Sequence, residues 1–217
     1  MLNRKEILRY LGASATNETM DALIDRAQAA VENAARPRHV VRHVPLQADV
    51  ALGQVVLAGT VLSSRNLARH LQGCEEGFLF ACTLGPAVDA LIKRYALTEP
   101  PMLPVAQAVA ATYTELCADE AQRPLEAYAS ERNLYLRPRY SPGYGDFTLD
   151  NQRFLFDALE ISKNIGITLT EEFIMIPFKS VTAVIGLSPD PSLCHINKCM
   201  TCTAKNCPFR KEDEPNV

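Results

Sequence analysis

Between Ala106 and Ala121, small residues recur every three or four positions, directly after a proline-rich stretch at residues 100–104. A helix built this way lets its neighbours approach closely, so it is expected at the centre of the fold with the other elements packed around it. Those elements can be read from changes in period. Asn3 and Glu6 stand in capping-box spacing ahead of Ile7, Leu8 and Leu11, which fall on one face of a short helix. A second helix begins near Asn17, carries Met20, Leu23, Ile24, Ala27 and Val31, and must end before Pro37.

The period then changes to that of strands. Val40–Val50 and Gln54–Val61 are β-branched and partly alternating, with Gly53 and Gly59 as breaks, which predicts a hairpin or meander. Ser63 or Ser64 caps a helix bearing Leu67 and Leu71 that Gly73 closes. The continuous apolar run Phe78–Cys82 reads as a buried strand, and Pro86 opens a helix with Val88, Leu91, Ile92 and Tyr95 facing inward. Thr83-Leu84-Gly85 between them is a strand-to-helix turn, either an anion or ribose cradle or plain connection chemistry. Thr148–Ile161 is amphipathic, and strands follow at about 167–176 and 181–187. This mixed order lacks the βαβ rhythm of a parallel sheet. It predicts an α+β fold, with an antiparallel mixed-order sheet flanked by helices.

Composition narrows the function classes. The net charge of −3 over 217 residues offers no basic field for nucleic acid. No run of about 18 apolar residues marks a membrane span, and the first residues lack a signal-peptide pattern. A cytoplasmic location is the expectation. Seven cysteines in a chain of this kind argue for thiols or metal ligands rather than a disulfide scaffold.

The stretch Arg139–Asp146 (RYSPGYGD) gathers a fixed cation, two aromatics and two glycines. Gly143 and Gly145 permit positive φ and close main-chain approach to a ligand, while Pro142 holds Ser141 extended. Arg139 can grip a carboxylate or phosphate through paired hydrogen bonds, and Tyr140 and Tyr144 offer flat faces for a ring. A glycine-rich turn leaving a strand is the plainer reading of the same residues. Glu115 lies among Ala110, Ala111, Leu116 and Ala118 on the central helix, either on its solvent face or turned toward a cation in a site. Asp119 one turn later is its rival.

These segments resemble the activation, or reactivation, domain of cobalamin-dependent methionine synthase, in its short stand-alone form. The resemblance rests on the Arg-x-small-Pro-Gly-Tyr loop at Arg139, Ser141, Pro142, Gly143 and Tyr144. It rests also on Thr168–Pro177 (TLTEEFIMIP) with Ser180-Val181 and, in the N-terminal half, on Glu6–Gly12, Asn66–Cys74 and Thr83-Leu84-Gly85. It covers the chain to about residue 190, so residues 1–190 form the activation domain-like unit.

The resemblance implies a subunit or accessory of a methyltransferase. Such a subunit binds S-adenosylmethionine and supports reductive methylation of cob(II)alamin held by a separate methionine synthase chain or other corrinoid protein. The electron donor would be of the flavodoxin or ferredoxin kind. It assigns Arg139 to the ligand carboxylate, Glu115 to its cationic groups, Ser141, Pro142 and Gly143 to polar edges, and Tyr144 to stacking, with no acid, base or nucleophile. The family's upstream site aspartate has no counterpart that can be placed here.

Residues 191–217 carry Cys194, Cys199, Cys202 and Cys207 in C-x4-C-x2-C-x4-C spacing among Lys198, Lys205, Arg210 and Lys211. Four clustered thiols near cations suit a zinc ion or an iron–sulfur cluster, and a reduced tail without metal is the alternative. Cys74, Cys82 and Cys117 read as core residues, and His39, His43 and His70 receive no role. Two other function classes stay open: an iron–sulfur reductive activator of another corrinoid methyltransferase, and a non-enzymatic S-adenosylmethionine-binding partner module.

Overall fold

The computed structural model of the protein describes residues 2–194. In chain order these form α1 (Arg4–Leu11), α2 (Glu18–Ala34), β1 (Arg38–Asp49), β2 (Gln54–Leu57), β3 (Thr60–Ser63), α3 (Arg65–His70), β4 (Glu76–Thr83), α4 (Pro86–Thr98) and α5 (Met102–Ser130). The second half adds β5 (Tyr135–Leu136), α6 (Gln152–Leu159), α7 (Ile161–Ile165), β6 (Thr168–Leu169), β7 (Met175–Ile176) and β8 (Ser180–Ser188). One antiparallel sheet runs β3-β2-β1-β4-β8-β5, and β6 pairs with β7 in a separate ribbon. This is the α+β architecture expected from the sequence. Among the described residues no helix is long and apolar enough to cross a membrane.

The local signals set the element ends. The Asn3 side chain accepts from the backbone N–H groups of Lys5 (3.0 Å) and Glu6 (3.4 Å), and Asn17 accepts from that of Met20 (2.9 Å). The break expected at Gly59 divides Gln54–Val61 into two strands. Ala58 and Gly59 both take positive φ, 50° and 83°, and Leu57 pairs with Thr60, so the chain reverses in a tight two-residue hairpin. The helix expected over 148–161 is broken at Glu160, which adopts φ 46° between α6 and α7. The strand expected over 167–176 shrinks to β6 and β7 at its two ends, because the chain turns between them, with Phe173 at φ 61°.

Helix α5 is longer than its alanine-rich core suggests. It runs through Pro124, which sits on the exposed side where the carbonyl it releases can be hydrated. Its small residues do what their spacing implies. On one side Ala118 and Ala121 cluster with Phe78, Phe80, Cys82, Ala183, Ile185 and Leu187 of β4 and β8. Along its N-terminal half Val105 and Val109 pack with Ile7, Ile24, Val31, Val88 and Ile92 from α1, α2 and α4. The opposite face of the sheet, with Leu79, Ala81 and Val184, is covered by Leu67 of α3, Leu155 and Leu159 of α6, and Phe147. Both faces of β4 and β8 are therefore dry, which is why Phe78–Cys82 shows no alternation. Gly77 and Gly186 face each other across these strands, and a Cβ at Gly77 would meet the Ile185 carbonyl oxygen at 2.4 Å.

Candidate functional site

After β5 the chain continues along β8 without forming a regular strand. The Arg137 N–H donates to the Gly186 carbonyl (2.8 Å), and Tyr140 exchanges both backbone bonds with Val184 (2.9 and 2.8 Å). The expected glycine-rich loop begins there. Tyr144 N–H donates to the Ser141 carbonyl (3.3 Å), Gly143 N–H to Phe147 (2.6 Å) and Phe147 N–H to Tyr144 (3.0 Å). Gly143 and Gly145 take φ 98° and 56°, values that a side chain would strain. Phe147 is fully buried and pins the end of the loop, while Tyr144 remains 50% exposed at its crest.

Alternation along this segment sends Arg139 toward α5 and Tyr140 toward α3. One guanidinium nitrogen of Arg139 donates both to Glu115 (3.0 Å) and to Asp119 (2.7 Å), and the other to the Gln122 side-chain oxygen (3.1 Å). Glu115, Asp119 and Gln122 lie at i, i+4 and i+7 on one stripe of α5. The structure thus brings Arg139 and Glu115 together, and it includes Asp119 as well where the sequence posed the two acids as rivals. The arginine side chain is 14% exposed, against 48% for Glu115 and 63% for Asp119. Burial acts to lower the Arg139 pKa, but its bonds to Asp119 and Glu115 and their negative charge outweigh it and hold the group above its usual value. It is a permanent cation with two acidic partners at the water edge. These three bonds leave two of the five guanidinium N–H donors for another acceptor.

On its other side the loop is fastened to α3, a junction absent from the sequence reading. Asp146 accepts from Ser64 Oγ (2.5 Å) and from the N–H groups of Arg65 (2.8 Å) and Asn66 (3.1 Å). Burial opposes ionisation there, yet the bonds from Ser64, Asn66 and Arg65 hold the carboxyl below its ordinary range. A Cβ on Gly145 would lie 2.1 Å from the Asn66 amide nitrogen, so loop and helix are in direct contact. His70, left without a role above, bonds through Nε2 to the Pro138 carbonyl (2.8 Å) and packs its ring on Tyr140 at 4.8 Å. The available signal was the acid after the second loop glycine, a residue type suited to a helix N-terminus.

Other candidates resolve into structural roles. Thr83 Oγ1 accepts from Gly85 N–H (3.0 Å) and from Ser180 Oγ (2.9 Å), and Leu84 N–H donates to the Lys179 carbonyl (2.9 Å). The Thr83-Leu84-Gly85 turn is therefore connection chemistry that also ties down Ser180. His43 pairs with Glu76 at 2.6 Å between the rings of Phe78 and Tyr128. Cys74, Cys82 and Cys117 are core thiols, and burial pushes Cys82 up to about 12 and Cys117 to about 11. Two surface cavities of about 490 and 650 Å³ are lined by residues around Glu75 and Asp157, and neither lining includes the loop.

Of the four clustered cysteines, Cys194 ends the described segment, its thiol donating to the Asp190 carbonyl at 3.3 Å. Cys199, Cys202 and Cys207 lie outside the described residues. Within those residues no group of three or more histidine, cysteine or acidic side chains converges on a point.

Comparison with known proteins supplies a family. The profile described as "Vitamin B12 dependent methionine synthase, activation domain" matches residues 79–211. No curated protein matches the chain. Among solved structures the fold is similar to that of the MetH reactivation domain bound to AdoHcy, with a TM-score of 0.61 and 19% identity. The likeness covers 79% of this chain and 66% of that one, so the chain spans just under two thirds of the length of its solved relative.

Proposed function

The chain belongs to the activation-domain family of vitamin B12-dependent methionine synthases, and from this premise we propose that it binds S-adenosylmethionine beside Arg139 and reactivates a corrinoid protein held on a separate chain. The observation that carries the proposal is the convergence of Arg139, Glu115 and Asp119 beside the proline-glycine loop. S-adenosylmethionine presents a carboxylate, an ammonium and a sulfonium. Its carboxylate complements the guanidinium, and its cations complement the two acids. The AdoHcy held by the similar solved domain supports the same ligand class.

The site is already internally paired, so ligand entry is an exchange of ion partners. Such an exchange is cheap. Glu115 and Asp119 lie largely in water, which can solvate them as the ligand enters, and two guanidinium donors remain over. Ser141, Pro142 and Gly143 would line the polar edge of the ligand, and Tyr144 would lie against its flat ring. In the reaction a corrinoid in the cob(II) state takes one electron and then the sulfonium methyl, leaving a methylcobalt species and S-adenosylhomocysteine. The protein supplies orientation and exclusion of water, and no side chain needs to act as acid, base or nucleophile. A flavodoxin or ferredoxin would supply the electron.

The test is turnover. A cob(II) corrinoid protein mixed with reductant, S-adenosylmethionine and this chain should convert to the methylated form, and conversion should stop when any one is left out. Loss of the cob(II) state at the same rate without S-adenosylmethionine, with cob(I) accumulating in place of the methylated form, would favour a purely reductive activator. We further infer that residues 191–217 form a cysteine-rich unit holding a metal or cluster through Cys194, Cys199, Cys202 and Cys207, a reading supported by their spacing. Protein purified without oxygen should contain iron or zinc, and replacing Cys202 with serine should remove most of it; metal-free protein would refute this assignment.

A further inference from the structure

The acids that meet Arg139 outnumber it. Glu115 and Asp119 both bond the same guanidinium nitrogen, so the cluster carries one net negative charge. Gln122, the third partner, adds none, and on the neighbouring α1 Arg9 and Glu6 neutralise each other at 2.6 Å. A ligand with one carboxylate and one ammonium, such as S-adenosylhomocysteine, leaves the excess charge in place. A ligand with a carboxylate, an ammonium and a sulfonium cancels it.

We propose that Asp119 is a specificity residue that makes the site prefer the sulfonium form of its ligand over the neutral thioether. The inference rests on the ligand reading given above. Asp119 suits the part because it makes the shortest of the three bonds to Arg139 while most of its side chain faces water. Its charge therefore acts on the local field from close range, and Glu115 and Gln122 still bond the arginine when that charge is removed. Its charge would also favour departure of the product, since methyl transfer removes the positive charge that the cluster matched.

Calorimetric titration of S-adenosylmethionine and S-adenosylhomocysteine into wild type and Asp119→Asn provides the test. Asparagine keeps the size of the side chain and an oxygen to accept from Arg139, and removes only the charge. The ratio of the two affinities should fall roughly fivefold in the variant, almost entirely through weaker S-adenosylmethionine binding. Asp119→Glu, which restores the charge, should restore the ratio. An unchanged ratio in Asp119→Asn, or equal weakening of both ligands, would overturn the inference while leaving the ligand reading intact. Failure of wild type to bind either ligand would remove both.

Discussion

Arg139→Ala is expected to lower the affinity for S-adenosylmethionine roughly a hundredfold, equivalent to about 2.7 kcal/mol. Removing the guanidinium deletes the only cation of the cluster and leaves Glu115 and Asp119 facing the ligand carboxylate. The loss therefore combines a missing charge-assisted bond with new repulsion. The effect on folding should be much smaller, because the freed carboxylates are 48% and 63% exposed and water can solvate them. Arg139→Lys should fall between wild type and alanine, since it keeps the charge but loses the planar fork. Calorimetry beside a thermal melt separates the two contributions. A large drop in melting temperature with unchanged affinity would recast Arg139 as a structural residue.

The second large effect is expected at Phe147. Its side chain is fully buried in the core on the α3 side of the sheet, and its backbone closes the loop through Gly143 and Tyr144. Phe147→Ala should cost about 3–5 kcal/mol, which in a chain of this size means a melting point lower by roughly 10 °C. Phe147→Leu, with most of the apolar volume retained, should cost less than about 1.5 kcal/mol. Ligand affinity should follow the same order, because the site depends on a loop held open by its own anchor. Urea denaturation measures the stability difference. Equal stability of the alanine variant would show that the loop is not nailed to the core at this point.

The contrast between Arg139 and Phe147 also marks what could be read in the sequence. The central helix was legible because small residues at three- and four-residue spacing can serve little purpose except close packing, and α5 lies between the other helices and the sheet. Helix starts at Asn3, Asn17 and Ser64 were legible because capping is chemistry of nearest neighbours. The broken helix at Glu160 and the short ribbon β6–β7 were not, since each has a non-glycine residue at positive φ, Glu160 at 46° and Phe173 at 61°, that its residue type does not announce. In the site, the loop announced itself through Arg139, Pro142 and the glycines. The pairing of Arg139 with both Glu115 and Asp119 did not, because it joins elements 20 or more residues apart. The same holds for Asp146 on Ser64 and His70 on Tyr140, contacts that span some 80 and 70 residues and leave no local trace. The register of β8 against β5 and the seat of α3 decide them.

The most direct measurement is a calorimetric titration of S-adenosylmethionine into the wild-type protein, with folding verified on the same sample. The account predicts saturable binding of one ligand per chain, weakened by Arg139→Ala as described. Folded protein that takes up no S-adenosylmethionine would contradict it, since the acids and the arginine would then be no more than an ion pair fastening a loop to a helix.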